Sequence, residues 1–535
     1  MKIFFTAKHA KACTELYRSV ANKKLGNLIT WQLFTISLFI IASCNINNTA
    51  QNESTGQPIL NTQTIPQPTA TQKIISSIHP LTGKNVEDAN LLNMPALLIS
   101  ISHFPVTARP QAGLSFAPWV FEIYITEGAT RFLSVFYGAF PQPEPIIKGS
   151  CQVRNQPFLQ TSNIIGNRVW LDENQNHIQD DWEHGIGGLC VNLFDANGNF
   201  LQATSTDSNG YYAFNVDVGN YILQFEKPTG MGFVQKNVGD ESNDSDVDQA
   251  NGQTEAVTLT SSLLDLDVGL VLSPDYVSSS QLPIAKVGPI RSGRLIYADI
   301  HAFFKDSCLI YAFASPEVLE ELPQCFFVTH DEQGGGYMLD VDELKRLAEE
   351  SKNGEIDYES NLFDSIPPSG GVVASKLLVY IAYLNQSAWV YDSASQSYWR
   401  YVDNADSETA GVLHPEVDRL TNRQLQFENV VVLFTKHDVV SPTNLDIHLE
   451  ENLSGDALLF RNGLMYELKW TTRLDSDEIN NGQQKPIQFI TNDESILFPL
   501  KPGRTWIIVV TPKTSVEEER AGEWYLDFVQ PKGAK

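Results

Sequence analysis

Asp172, Asn174, Asn176, Ile178, Asp180 and Glu183 fall at positions 1, 3, 5, 7, 9 and 12 of an EF-hand-type loop. Calcium takes about six to eight oxygen ligands, and this register turns short carboxylates, amides, one backbone carbonyl and a closing Glu toward one point. Position 6 holds His177 where the pattern has Gly, which demands a left-handed backbone at roughly 1 kcal/mol. A second polar set is Arg109, Gln111, Glu122, Glu127, Thr130, Arg131, Arg291, Ser292 and Arg294. If their segments converge, four arginines and two carboxylates either clamp an anionic ligand bidentately or form a buried ion-pair network that fixes a sheet. A glycosidase dyad of Glu122 and Glu127 fits poorly. In an unbroken strand they lie on opposite faces, about 17 Å apart along it, against about 5 to 9.5 Å for catalytic carboxyl pairs.

The elements around the loop alternate apolar and polar residues, with Asn197-Gly198 and Asn209-Gly210 turns between them, the pattern of a β-sandwich. From Ile164 to Leu272 the segment holds 17 acidic residues against Arg168, Lys227 and Lys236, so it needs something to offset repulsion. It resembles the SdrD B-like domain of bacterial surface proteins, a Cna-B-type sandwich that binds calcium. The resemblance implies structural Ca2+ and adds Asp240, Asp244, Asp246 and Asp248 as further ligands; the alternative for that run is a solvated acidic loop.

On either side stand Arg109-Pro-Gln-Ala-Gly-Leu114, Glu127-Gly-Ala-Thr-Arg-Phe132, Gly288-Pro-Ile-Arg-Ser-Gly-Arg294 and Leu500-Lys-Pro-Gly-Arg-Thr-Trp506. Together they resemble the YerB-like bacterial lipoprotein family, a domain of unknown function. The second and third motifs are close in that family and far apart here, which implies insertion of the sandwich into a surface loop with its ends close together. That family's Pro-His-Asn-Leu is replaced here by Glu359-Ser-Asn-Leu362, so a histidine at that place is missing. His330 beside Asp331 and His437 beside Asp438 read as surface residues. The fold expected is multidomain: an α/β domain with a mixed sheet (77–150 and 285–386), interrupted by an inserted β-sandwich (160–272) and followed by a mainly antiparallel β domain (387–515) and a tail (516–535). Tyr297 to Lys305 reads as a helix, and Asp340 with Glu343 as the capping box of another that ends near Lys352.

The N-terminus reads as export machinery. Six basic residues precede an apolar run from Leu28 to Ala42, about 15 residues against the roughly 20 a spanning helix needs, and Ile41-Ala-Ser-Cys44 closes it. The reading is a lipoprotein signal over 1–43 with Cys44 lipidated, the alternative an uncleaved anchor. Residues 44–76, rich in Asn, Gln, Thr and Pro, form a tether. Outside the cytoplasm Cys308 and Cys325 can pair, closing a loop worth about 3 kcal/mol; four buried free cysteines are the alternative. Sixty-four Asp and Glu against 37 Lys and Arg leave a net charge of -27, which disfavours nucleic acid as a partner. No GxSxG, SxxK, HExxH or P-loop is present. The function expected is a membrane-anchored, extracytoplasmic protein that binds or scaffolds an envelope component or protein partner; the alternative is an envelope hydrolase or transferase using the Arg/Glu cluster.

Overall fold

The computed structural model describes residues 77–143, 147–273, 285–323, 325–328, 336–474, 485–494 and 496–535. Cys44, the signal segment and the whole of the tether lie outside them, as do His330 and Asp331. The chain is multidomain and mostly β. An eleven-stranded mixed sheet runs in the order Phe326–Val328, Cys308–Ala312, Leu97–Ser102, Ala129–Phe136, Trp119–Thr126, Thr505–Val510, Asn429–Phe434, Ser454–Arg461, Leu464–Thr471 and Val372–Val373, with Gln488–Ile490 also on Leu464–Thr471. Its central strands are buried along nearly their whole length, so both faces must be covered. One face meets a seven-stranded sheet built on Ser397–Asp403, Asn385–Asp392, Lys376–Ala382 and Glu523–Asp527, through Trp389 and Phe427 packed edge-on to Trp506. The other face carries Tyr297 of the helix Ile296–Ala302.

Two expectations change. The parts expected as a separate α/β domain and C-terminal β domain share the large sheet, because Trp119–Thr126 pairs in parallel with Thr505–Val510. Local periodicity cannot reveal a parallel partner almost 400 residues away. The last twenty residues are no tail: Ser515–Arg520 and Glu523–Asp527 form a hairpin whose inner strand runs parallel to Lys376–Ala382. The charged outer strand, Ser515-Val-Glu-Glu-Glu-Arg520, is an edge that resists further pairing and so lacks an apolar signature.

The helix Val341–Ser351 buries Leu344, Leu347 and Ala348 at helical spacing. Asp340 sits at its N-cap, but the capping-box bond does not form. Its carboxylate instead lies 3.0 Å from Lys286 Nζ, since Lys286–Val287 pairs with Leu339–Asp340. Asn462 and Gly463 turn the hairpin between Ser454–Arg461 and Leu464–Thr471 with φ of 53° and 72°, the left-handed pair such a turn needs.

The insert is a sandwich of two four-stranded sheets, Val257–Leu259, Gly219–Phe225, Cys190–Asp195, Phe200–Ser205 against Tyr211–Val216, Asn163–Leu171, Val268–Leu272, Met231–Phe233. Its first and last strands are parallel, with Val169 beside Val268 and Leu171 beside Leu270. Asn163 therefore starts about 27 Å from the end at which Leu272 leaves. The segment before it resolves this separation. Lys148 bridges Gly187, Gly185 bridges Trp170, and Arg154 bridges Asp207, so the chain enters near Trp170 and runs along the module before turning into its first strand. A disulfide from Cys151 to Cys190 fastens this strap, and Cys308 pairs with Cys325.

Candidate functional site

The acidic loop leaves the strand Asn163–Leu171 and is wound by its own side chains. Asp172 accepts from the backbone N–H groups of Asn176 (3.1 Å) and His177 (3.0 Å), and the Asn174 and Asn176 amides donate to Asp180 Oδ2 at 2.8 and 3.0 Å. Glu183 accepts from Glu173 N at 2.8 Å and Asp180 N at 3.0 Å. His177 has the left-handed conformation its position demands, φ 66°. Burial pushes the Glu183 carboxyl up to about 7, and Asp172 and Asp180 push it the same way. Ile178, at position 7, donates its N–H to Asn176 Oδ1.

In the second acidic run, burial pushes Asp246 up to about 7, and the charges of Asp244, Glu241 and Asp265 push it the same way. Asp248 caps a turn of its own through Ala250 N, and Asp240 bonds within its turn to Asn243. The two loops touch where Gln179 N donates to Asn243 O at 2.7 Å. Among the described residues no three His, Cys, Asp or Glu side chains already form a metal-ligand cluster. Both loops are rich in oxygen ligands, and Asp172, Glu183 and Asp244 are buried in them.

The arginine and glutamate set divides in two. Side chains alternate across a strand, so consecutive residues of Glu127-Gly-Ala-Thr-Arg-Phe132 serve opposite faces. Thr130 and Phe132 face the seven-stranded sheet with Glu122, which is only 1% exposed. Glu122 Oε2 accepts from Trp506 Nε1 at 3.0 Å and lies 3.2 Å from Arg400 Nη1; Oε1 accepts from Thr130 Oγ1 at 3.1 Å. Arg400 also pairs with buried Glu416 and lies over the Trp506 ring at 4.3 Å. Arg109 joins this side, donating to the Asp403 carbonyl at 2.6 Å. His103, buried against Phe132, is held well below its usual range by burial and by Arg109, Arg400 and Arg131.

Arg131 faces the other way, directly across from Ser102. Arg131 Nη1 and Arg291 Nε both donate to Ser102 Oγ, at 3.3 and 3.2 Å. Gln111 Nε2 donates to the Ser102 carbonyl at 3.0 Å, and the Ser292 carbonyl accepts from Ser100 Oγ at 3.2 Å. Burial pushes Arg131 down to about 9, and Arg294 and Arg291 push it the same way. Glu127 joins neither group: it occupies the turn after Trp119–Thr126 with φ 54°, its N–H on the Lys535 carbonyl. The residues that the sequence reading missed are His103, Arg400, Asp403 and Glu416, and the other acids Glu241 and Asp265. Arg400 had a signal, a cation in the aromatic strand Tyr398-Trp-Arg-Tyr401.

The insert is bolted to the seven-stranded sheet. Arg154 reaches Asp392 at 2.7 Å and the insert's Asp207 at 3.4 Å, and lies over Trp399 at 5.0 Å. At the other seam Asp181, within the acidic loop, accepts from Asn85 N at 2.8 Å. Between the two bodies lies a cleft of about 820 Å³ lined by Trp182, Glu183, Phe140, Met94, Lys345 and Arg504 among others.

Three family models match the chain. The N-terminal domain of a protein of unknown function, DUF3048, matches residues 81–148, the SdrD B-like domain 163–270, and the DUF3048 C-terminal domain 379–507. The "Fibrinogen-binding protein" of Staphylococcus epidermidis is 45% identical over 105 residues, 19% of this chain and 9% of that protein. Serine-aspartate repeat-containing protein F of the same species is 48% identical over 97 residues, 18% and 6%. Serine-aspartate repeat-containing protein D of Staphylococcus aureus is 37% identical over 120 residues, 22% and 9%. The chain thus spans less than a tenth of the length of these relatives. The crystal structure of the YerB protein from Bacillus subtilis aligns over 81% of this chain and 96% of its own, at 16% identity and a TM-score of 0.44.

Proposed function

The chain carries an SdrD B-like domain inserted between the N- and C-terminal domains of DUF3048, and from that composition we propose an extracytoplasmic binding or scaffolding protein, lipid-anchored at Cys44, whose insert is stiffened by calcium. The observation that carries this reading is the lock at Arg154, which ties the insert to the outer sandwich through buried Asp207 and Asp392. It joins the two bodies that line the cleft. Two disulfides suit an oxidising compartment. A relative matched over about one domain's length is named for binding fibrinogen, which supports binding as the role. Calcium would be held by Asp172, Asn174, Asn176, Ile178, Asp180 and Glu183, and in the second loop by Asp244 and Asp246, where it would neutralise carboxylates that burial otherwise drives toward protonation. The hydrolase or transferase alternative loses its acid, since Glu122 is held on Arg400 in the core between the sheets.

The test is a melt of the full chain in calcium and in EDTA, with a cell fractionation beside it. We expect calcium to raise the melting temperature and a Cys44→Ser variant to leave the membrane fraction. Equal melting in the two buffers would end the calcium reading, and an unchanged membrane fraction would end the anchor.

A further inference from the structure

A strand at the edge of a sheet offers its unpaired backbone groups to any other extended chain, and folded proteins keep such edges short, charged or covered. The edges among the described residues follow that rule with one exception. They run two or three residues, as in Phe326–Val328, Val372–Val373, Val257–Leu259 and Met231–Phe233, or carry charge, as in Ser515–Arg520, or in Tyr211–Val216 lie against the strap, where Thr161 N donates to Asn215 Oδ1 at 2.9 Å. The exception is Phe200–Ser205, the outer strand beside Cys190–Asp195 in the insert: it has six residues, and no charge stands between Asn199 and Thr206. Phe200 is 59% exposed and Leu201 47%. Thr206 N donates inward to the Leu189 carbonyl, and strand bonding alternates, so the N–H of Ala203 points away from Cys190–Asp195 and meets no acceptor among the described residues. The strap reaches only the far end of the strand, where Ser205 Oγ donates to the Gln152 carbonyl at 2.6 Å.

We propose that Phe200–Ser205 is an interaction surface that takes an extended, basic segment of a partner protein as an added strand. In strand addition the backbone bonds supply affinity, and the side chains around the edge choose the partner. Charge makes that choice here. The insert holds 17 acidic residues against three basic ones, and each of the three is engaged: Arg168 on the Glu183 carbonyl, Lys236 with Glu255 at 2.6 Å, and Lys227 over the Phe233 ring at 5.8 Å. A second copy of so acidic a module is repelled. A segment that alternates apolar and basic residues instead sets its apolar side chains on one face of the extended sheet, beside Phe200, and its cations on the other, within the field of the module. This deepens the binding reading by naming the partner's chemistry and rests on that reading alone; the calcium melt and the fractionation do not probe this edge, so either can fail without the other.

The experiment is fluorescence anisotropy of a labelled peptide of about eight residues, alternating lysine and valine, titrated with the full, disulfide-bonded chain. Its controls are a glutamate and valine twin and a lysine peptide of equal charge interrupted by prolines. The lysine and valine peptide should bind, less tightly as salt rises, and neither control should. Proline is tolerated on an edge strand where the N–H faces solvent, so Ala203→Pro should melt with the parent and lose about tenfold or more in binding. Leu201→Lys, at an exposed position, should weaken binding through like charges across the new pair, and it decides the matter alone if Ala203→Pro does not fold. The proposal is overturned if the lysine and valine peptide does not bind, if the proline-interrupted peptide binds as well, or if the variants bind as the parent does. A dimer of the chain alone that Ala203→Pro dissolves would also overturn it, by assigning the edge to self-pairing.

Discussion

Glu122 and His79 show how single buried groups constrain this fold. Glu122 joins the two outer sheets by accepting from Trp506 and Thr130 and pairing with Arg400, all within an aromatic core. Removing one member of a buried pair strands the other, so Glu122→Ala should cost about 3–5 kcal/mol in denaturant melts; a loss below about 1 kcal/mol would mean that Glu416 alone neutralises Arg400. His79 Nε2 donates to the Tyr137 carbonyl at 2.9 Å and Nδ1 accepts from Leu81 N at 3.0 Å, so both nitrogens are committed to the neutral ring. Burial pushes it down to about 4, as it does His437. The unfolded ring takes up its proton near 6.5, so between 6.5 and 4 the unfolded chain holds more protons. The stabilisation is full above about 6.5 and is lost as pH falls toward 4, at most about 3 kcal/mol per ring. The urea midpoint followed from pH 7.5 to 4 should fall less steeply in His79→Gln, with His437 supplying the remaining slope.

At the scale of elements, the C-terminal hairpin decides whether the seven-stranded sheet ends in a protected edge. Leu526 is fully buried, and Trp524 donates through Nε1 to the Val373 carbonyl at 3.0 Å. Truncation after Thr514 would expose the strand Lys376–Ala382, whose Leu377 and Val379 are buried and whose backbone would lose its parallel partner. The truncated chain should be less stable and should aggregate at its new edge, read by light scattering during refolding. Monodisperse refolding with an unchanged midpoint would show the hairpin to be dispensable. The alternation of Trp524 and Leu526 was visible in the sequence; the charged strand before them concealed that they belong to a sheet.

Across the whole molecule, the strap of residues 147–162 sets how the insert sits. By running along the module it returns the entry point to the end from which the chain leaves, and Arg154 converts that route into an ion lock. Calorimetry should give one cooperative transition for the parent. In Arg154→Met, which leaves Asp207 and Asp392 buried together without their cation, the insert should melt separately and earlier. A single unshifted transition would show that the remaining seam, including Asn85 with Asp181, suffices.

How much of this was legible divides along the range of the interactions. The sequence alone determined the identity and spacing of the acidic loop, including the left-handed backbone at His177, and the Asn462-Gly463 hairpin, because each depends on residues near one another in the chain; it left the Cys308–Cys325 pairing open against free thiols, and the structure makes the bond. Tertiary structure alone decided that Glu122 belongs to Arg400 and that Arg131 turns to Ser102, although Thr130 and Arg131 are adjacent. It also joined the strand Trp119–Thr126 to Thr505–Val510. A strand's alternation says that two neighbours face opposite ways, but which face meets which partner depends on sheet order, and sheet order is set by packing between segments hundreds of residues apart.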